Sequence, residues 1–208
     1  MSAADDILVL LAAGSARRMQ SVVDDKITAL LAGKPVFVHS LQSFLGTGLI
    51  GRVVITYRDE AQLAKLKSQL AGHLPTVTNV EFVPGGESRQ DSVLAALNAC
   101  EGHAGLVHIH DGARPLVSPE AIRKVRDKAK ETGAAILAGR AADTVKIAKA
   151  DSASVDTSPD RGLVWTAETP QVFRTAIVLK AYRKVAELQR KVTDDSSAVE
   201  FVGQDVSL

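Results

Sequence analysis

The chain has 208 residues, 46% of them hydrophobic and 24% charged, a composition that suits one folded domain with a sizeable apolar core. Its 25 basic and 24 acidic side chains nearly cancel to a net charge of +1, which excludes a global electrostatic attraction to nucleic acid or to an anionic membrane; any basic function must be local. The lone Cys100 excludes an internal disulfide, Asp5 and Asp6 stand where a secretory leader would be basic, and no apolar run approaches the ~20 residues of a membrane span, so a soluble, cytoplasmic protein is expected.

Five apolar residues, Ile7 to Leu11, predict a buried strand that opens onto Ala12-Ala13-Gly14-Ser15-Ala16 and then Arg17 and Arg18. From Pro35 to Leu45, Val36, Val38 and Leu41 share one face of a helix. RVVIT, Arg52 to Thr56, is a β-branched strand, and Asp59 with Gln62 has the spacing of a capping box ahead of Leu63, Leu66 and Leu70. Val80 to Val83 predicts the next strand, followed by PGGESRQDS and a helix carrying Val93, Leu97 and Cys100, a position that makes the thiol a packing group. GLVHIH, from Gly105, reads as a strand; Ser118 caps a helix with Pro119 in its first turn; AAILA, from Ala134, closes the regular part as a buried strand.

Strand alternating with helix predicts an α/β fold, a parallel, doubly wound sheet with helices on both faces, whose ligands lie beyond the carboxyl ends of the strands. Gly14 to Arg18, Gly85 to Ser92 and Asp111 to Pro115 all follow strands and so converge on that edge. The polar segment from Arg140 to Trp165 breaks the pattern and reads as two short strands around a loop, a projection for which a second subunit is the simple packing partner.

Three segments carry chemistry. The small residues from Ala12 to Ala16 let backbone N–H groups approach an anion, with Arg17, Arg18 and Lys26 nearby to neutralise it. The other reading is a surface loop with solvated arginines, and neither the GxxxxGK[ST] loop nor the GxGxxG fingerprint is present. Asp24 and Asp25 precede Lys26, and either carboxylate could pair with its ammonium. In HIHDGARP, Asp111 at a strand end suits Mg²⁺. His108 and His110 share a strand face and with Asp111 imitate a two-histidine, one-carboxylate metal site, or else simply pack and orient by hydrogen bonds. In PGGESRQDS, Gly85-Gly86 and the hydroxyls of Ser88 and Ser92 fit either a base-recognition loop or a plain turn before a helix.

Together the segments resemble one family, the 2-C-methyl-D-erythritol 4-phosphate cytidylyltransferases. The resemblance runs in order through AAGSARRM at Ala12, Lys26 before LLAGKPVFVHSL, GGESRQDSV at Gly85, HDGARP at His110, DTVK at Asp143, RGLVWTAETPQVF at Arg161 and TDDSSAVE at Thr193. It implies a Rossmann-like, three-layer nucleotidyltransferase fold in a single domain, 1–208, with 140–165 as a projecting β-arm exchanged in a homodimer. It implies CTP and a polyol phosphate as substrates, Mg²⁺ as cofactor, and neither nucleic acid nor membrane as partner. By the same resemblance Ala12, Ala13, Gly14, Ser15 and Ala16 wrap the triphosphate, Arg18 and Lys26 stabilise the transition state, and Gly86, Glu87 and Ser92 read the cytosine. Asp111 holds the metal and, with Thr144, Arg161 and Thr193, meets the acceptor. The expected reaction is CMP transfer from CTP to 2-C-methyl-D-erythritol 4-phosphate. Ribitol-5-phosphate cytidylyltransferase and a catalytically impaired nucleotide-binding module are the alternatives. This chain has Ala16 where the family usually has glycine and Asp25 where it usually has proline, and family members run on past the point matching Leu208 through a further strand and helix.

Overall fold

In the computed structural model, which describes residues 5–14, 25–73 and 79–208, the strict alternation of β1 sets up two cores. The elements in chain order are β1 (Asp6–Leu11), β2 (Leu30–Leu31), β3 (Lys34–Pro35), α1 (Val36–Leu45), β4 (Ile50–Tyr57), α2 (Glu60–Leu70), β5 (Asn79–Pro84), α3 (Arg89–Ala99), β6 (Leu106–Asp111), α4 (Pro119–Thr132), β7 (Ala134–Arg140), β8 (Ile147–Ala148), β9 (Val155–Thr157), β10 (Trp165–Arg174), α5 (Thr175–Glu187) and α6 (Asp195–Phe201). Ile7 and Val9 face one layer, with Val93 and Leu97 of α3, Tyr182 of α5 and Val199 of α6. Leu8 and Leu10 face the other, with Phe37 and Leu41 of α1, Leu66 of α2 and Ile122 of α4. A strand covered on both faces has no polar side to alternate with, which is why Ile7 to Leu11 is uninterruptedly apolar.

The main sheet has six strands in the order β5-β4-β1-β6-β10-β7. The pairs of β1 with β4, β1 with β6 and β4 with β5 are parallel. β10 is antiparallel to both neighbours, β6 and β7. The chain winds outward from β1 through β4 to β5, then crosses back under α3 to place β6 on the other side of β1. That reversal opens a crevice at the carboxyl ends of β1 and β6.

Helix boundaries follow local chemistry. Ser118 accepts from the Ala121 N–H with Pro119 in the first turn, and α4 ends at Gly133, whose φ of 93° is the left-handed conformation of a helix stop. Ser88 and Asp91 form a reciprocal capping box that starts α3. At α2 the expected box is half made. Asp59 accepts from the Gln62 N–H, but the Gln62 side chain turns away and accepts from the Arg58 N–H at 2.7 Å. In α1 the buried face is Phe37, Val38, Leu41 and Phe44, with Val36 half-buried at its margin. Cys100 is buried, its thiol pushed up to about 11 by burial and therefore inert at neutral pH.

AAILA does not close the regular structure. Ten residues beginning at Trp165 form β10, inserted between β6 and β7, and α5 and α6 then cover the sheet. The sheet is mostly rather than wholly parallel because β10 enters from the opposite end. Between β7 and β10, β8 and β9 pair in a separate two-stranded sheet. Ile147, Val155 and Leu163 of this segment are exposed, Leu163 to 81%. Among the described residues no helix is long and apolar enough to cross a membrane.

Phe173 of β10 is wholly buried, whereas Leu188 just past α5 is half exposed. Phe173→Ala is expected to cost about 3–5 kcal/mol of unfolding free energy, and Leu188→Ala about 1 kcal/mol or less, measured by urea denaturation.

Candidate active site

A cleft of about 850 Å³ lies at the carboxyl ends of β1, β4, β5 and β6. Of the residues singled out from sequence, it gathers Ala13, Gly14, Lys26, Gly86, Glu87, Ser92 and Asp111. Ala12 lies buried directly behind. Ser15, Ala16, Arg17, Arg18 and Asp24 fall outside the described residues. Thr144 and Arg161 sit on the exposed segment between β7 and β10, where Arg161 donates to the Ala142 carbonyl, and neither lines the cleft. Thr193 is exposed beside α6, its hydroxyl paired with that of Ser197 at 2.9 Å, and it does not line the cleft either.

The loop after β1 is supported from β4: the hydroxyl of Thr56 accepts from the N–H groups of Ala12 at 3.1 Å and Ala13 at 3.4 Å. The loop after β5 leans directly on it. A Cβ on Gly85 would stand 2.5 Å from the Ala13 Cβ, and one on Gly86 would stand 2.3 Å from the Asp91 Cβ, so both positions require glycine. Gly85 permits contact between the two loops, and Gly86 lets its own loop close against the first turn of α3. Ser88 caps α3, and the Ser92 hydroxyl accepts from the Gly86 N–H and donates to the Ser88 carbonyl. Both hydroxyls thus shape the loop from within.

Asp111 sits at the cleft edge, its carboxylate accepting from Arg89 Nε at 3.4 Å and Arg114 Nε at 3.1 Å. Arg89 is held from behind by a two-pronged pair with Asp195, at 2.9 and 2.8 Å, and Tyr182 also donates to Asp195. Burial disfavours the Arg89 charge, but Asp195 and Asp111 outweigh it and raise its pKa above the ordinary range. Burial beside Asp195 likewise raises the Tyr182 pKa and keeps the phenol a donor.

The histidines do not make a metal site. His110 accepts from the Thr169 hydroxyl through Nδ1 at 2.9 Å and donates through Nε2 to the Arg114 carbonyl at 3.1 Å. Thr169 in turn accepts from the Asp111 N–H, so His110 braces the DGAR turn. Its burial pushes its pKa down to about 4, leaving it neutral and correctly bonded at physiological pH. His108 points to the opposite end of the sheet, where Nε2 lies 3.0 Å from an Asp6 oxygen that also accepts from Arg126. Phe44 packs against both rings.

The carboxylate of Asp25 does not reach for Lys26. It accepts from the Ile27 N–H at 2.9 Å and from Gln62 at 2.7 Å, and it is buried. A pairing expected between sequence neighbours loses to one across the fold because the buried side chain must be satisfied where it lies. Sequence reading also missed Thr56, Arg58, Arg89 and Arg114 as cleft residues. Arg114 lay within the HDGARP motif and Arg89 within PGGESRQDS, each after a strand end that could have marked it; what nothing local discloses is the pairing of Arg89, since its partner Asp195 is 106 residues away.

Backbone loops after parallel strands, a carboxylate at the switch point, and Lys26, Arg58, Arg89 and Arg114 around one opening define an α/β domain with a crevice suited to a phosphorylated ligand. The family model for 2-C-methyl-D-erythritol 4-phosphate cytidylyltransferase, IspD, matches residues 7–208. A protein of that name from Symbiobacterium thermophilum is 37% identical over 96% of this chain and 81% of its own length. One from Bacillus licheniformis is 34% identical over 97% of this chain and 84% of its own. Among solved structures, 4-diphosphocytidyl-2C-methyl-D-erythritol synthase from Anaerococcus prevotii matches with a TM-score of 0.85 at 27% identity, over 99% of this chain and 88% of that one. The chain belongs to the 2-C-methyl-D-erythritol 4-phosphate cytidylyltransferase family.

Burial raises the Asp6 pKa, but the hydrogen bonds from His108 and Arg126 overcome this and hold it below the ordinary 3.8. A carboxylate with a depressed folded pKa contributes stability that is present above 3.8 and lost as pH falls through the lower folded value. Asp6→Asn is therefore expected to be less stable near neutrality and to show a shallower decline in urea midpoint than the parent chain as the pH is lowered from about 5 to about 2.5.

Proposed function

We propose that this protein transfers CMP from CTP to 2-C-methyl-D-erythritol 4-phosphate, releasing pyrophosphate and 4-diphosphocytidyl-2-C-methyl-D-erythritol, as a cytoplasmic enzyme of non-mevalonate isoprenoid synthesis. The observation that carries the reading is the convergence of Gly14, Lys26, Gly86, Glu87 and Asp111 on one cleft, in a chain whose family match spans residues 7–208.

The acceptor phosphate is already an anion, so the reaction needs no general base. Its oxygen attacks the α-phosphorus of CTP in line, and pyrophosphate leaves on the far side. Positioning and charge neutralisation carry the rate. Ala12, Ala13, Gly14, Ser15 and Ala16 are assigned to the triphosphate, Arg18 and Lys26 to the charge that grows in the transition state. Gly86 and Glu87 are assigned to the cytosine, with Ser92 holding Gly86 in place.

Asp111 offers hard oxygen donors at the cleft edge, half exposed between two guanidinium groups, which fits Mg²⁺ shared with phosphate oxygens and water. When bound, the ion would supply charge neutralisation at the phosphates. Arg89 and Arg114 orient the carboxylate.

Thr144 and Arg161 lie outside this chain's own cleft, and the segment bearing them exposes Ile147, Val155 and Leu163. Both facts support a homodimer in which 140–165 is an exchanged arm that brings Thr144 and Arg161 to the partner's acceptor site, where Thr193 and Asp111 contribute from the same chain as the cleft.

Pyrophosphate release from CTP and Mg²⁺ is expected with 2-C-methyl-D-erythritol 4-phosphate and not with ribitol 5-phosphate; the reverse preference, or release with neither, would overturn the assignment. Lys26→Ala and Arg18→Ala are each expected to lower kcat about 10²–10³-fold with a much smaller loss of CTP affinity by calorimetry. Arg161→Ala is expected to raise chiefly the acceptor KM, by roughly tenfold or more, for loss of a charge-assisted hydrogen bond.

A further inference from the structure

Gln62 is a buried amide in the first turn of α2, and its side-chain oxygen and nitrogen are both engaged. Its Oε1 accepts from the Arg58 N–H at 2.7 Å. Its Nε2 donates to the Ala12 carbonyl at 3.1 Å and to the Asp25 carboxylate at 2.7 Å. One amide group thus ties the backbone just past β1 to the residue just before Lys26.

Asp25 passes that restraint on. Its other carboxylate oxygen accepts from the Ile27 N–H, and its carbonyl accepts from the Ala29 N–H and the Thr28 hydroxyl. Residues 25–29 form a single closed turn with Asp25 as its cap. On the far side of Lys26, Ile27 is buried in the core with Leu10 and Phe37, and its carbonyl accepts from the Phe37 N–H. Lys26 is therefore the half-buried residue between two anchored neighbours, and its side chain enters the cleft from a backbone with little freedom.

We propose that Gln62 is a positioning residue for the transfer reaction, which by gripping Asp25 fixes the turn that presents Lys26 to the phosphates. The role stands on the assignment of this cleft to CTP and goes beyond it by identifying what aims the cation. Gln62 does not touch substrate; it acts through Asp25. The Ala12 bond is a second, separable contact of the same amide.

Side-chain chemistry allows the two contacts to be tested apart. Gln62→Glu sets two carboxylates face to face. Asp25→Asn leaves one oxygen for two donors, so its NH₂ must face either the Gln62 amide nitrogen or the Ile27 N–H. In the double variant Asp25→Asn/Gln62→Glu, the new amide at position 25 donates to the new carboxylate at position 62 and still accepts from the Ile27 N–H. The grip is restored with donor and acceptor exchanged, while the Ala12 carbonyl is left facing an acceptor. All variants are assayed as the full chain with CTP, Mg²⁺ and 2-C-methyl-D-erythritol 4-phosphate, with folded fraction checked by urea titration at the assay temperature.

Each single variant is expected to lose about 10–100-fold in kcat, the scale of a reacting group displaced by about an ångström, with acceptor KM within about twofold. The double variant is expected to recover at least about tenfold over the weaker single one, although the Ala12 contact stays broken. Single variants that keep kcat within about twofold, a double variant no better than either single, or losses that track only the folded fraction would each overturn the role of Gln62. Absence of transfer by the parent chain would instead overturn the function proposed for the cleft.

Discussion

A carboxylate with no exposure to water must find its compensation inside the protein, and Asp195 finds it in Arg89. That necessity connects the last helix of the chain to the first turn of α3, and through Arg89 to Asp111 at the end of β6. Removing Arg89 would leave the Asp195 carboxylate buried with no cation beside it and only the Tyr182 hydroxyl as donor, which is far costlier than the pair itself is stabilising. The arrangement makes the covering layer of α5 and α6 part of the site: Tyr182 donates to the same carboxylate, and Asp194, one residue earlier, caps α6. The cleft is thus braced from the face of the sheet opposite α1, α2 and α4.

The remaining supports work by the same logic at shorter range. Loops at the carboxyl ends of parallel strands leave backbone groups without ladder partners, and neighbouring side chains supply them. Thr56 serves Ala12 and Ala13, Gln62 serves Ala12, Ser92 serves Gly86, Ser40 serves Gly112, and Thr169 serves Asp111. Each donor or acceptor comes from a different element, so the loops are cross-linked to the whole scaffold. The requirement for glycine at 85 and 86 belongs here as well, since it is the closeness of neighbouring backbone and side chains in these loops that excludes a Cβ.

How much of this the sequence discloses depends on range. The core strands and helix starts were legible because they obey local rules: Ile7 to Leu11 is apolar throughout, and Ser118-Pro119 is a helix entry whatever lies around it. The carboxyl-edge location of Gly14, Gly86 and Asp111 was legible because topology forces it once strands and helices alternate. β10 was not, since the exposed, mixed first half of WTAETPQVFR has no sustained period, and its insertion between β6 and β7 is a tertiary choice. Asp25 was misread for a related reason. Chain proximity to Lys26 suggested an ion pair, whereas the carboxylate turns inward to a partner 37 residues away.

The charge count shows the same divide between total and local. A net charge of +1 says nothing about anion binding, yet around one cleft Lys26, Arg58, Arg89 and Arg114 face only Glu87 and Asp111 among the described lining residues. Not all of that positive charge is available to a ligand. Arg89 is neutralised from behind by Asp195, and Arg58 pairs with Asp59 at the surface. The Asp25 carboxylate, by contrast, is turned into the protein and engaged there, away from the Lys26 ammonium. A buried polar contact between Asp25 and Gln62 therefore has an electrostatic consequence at the surface of the cleft: it keeps a carboxylate adjacent in sequence from becoming the counterion of the lysine. Fold stability and a lysine spared its nearest acid are, at this position, two results of the same pair of hydrogen bonds.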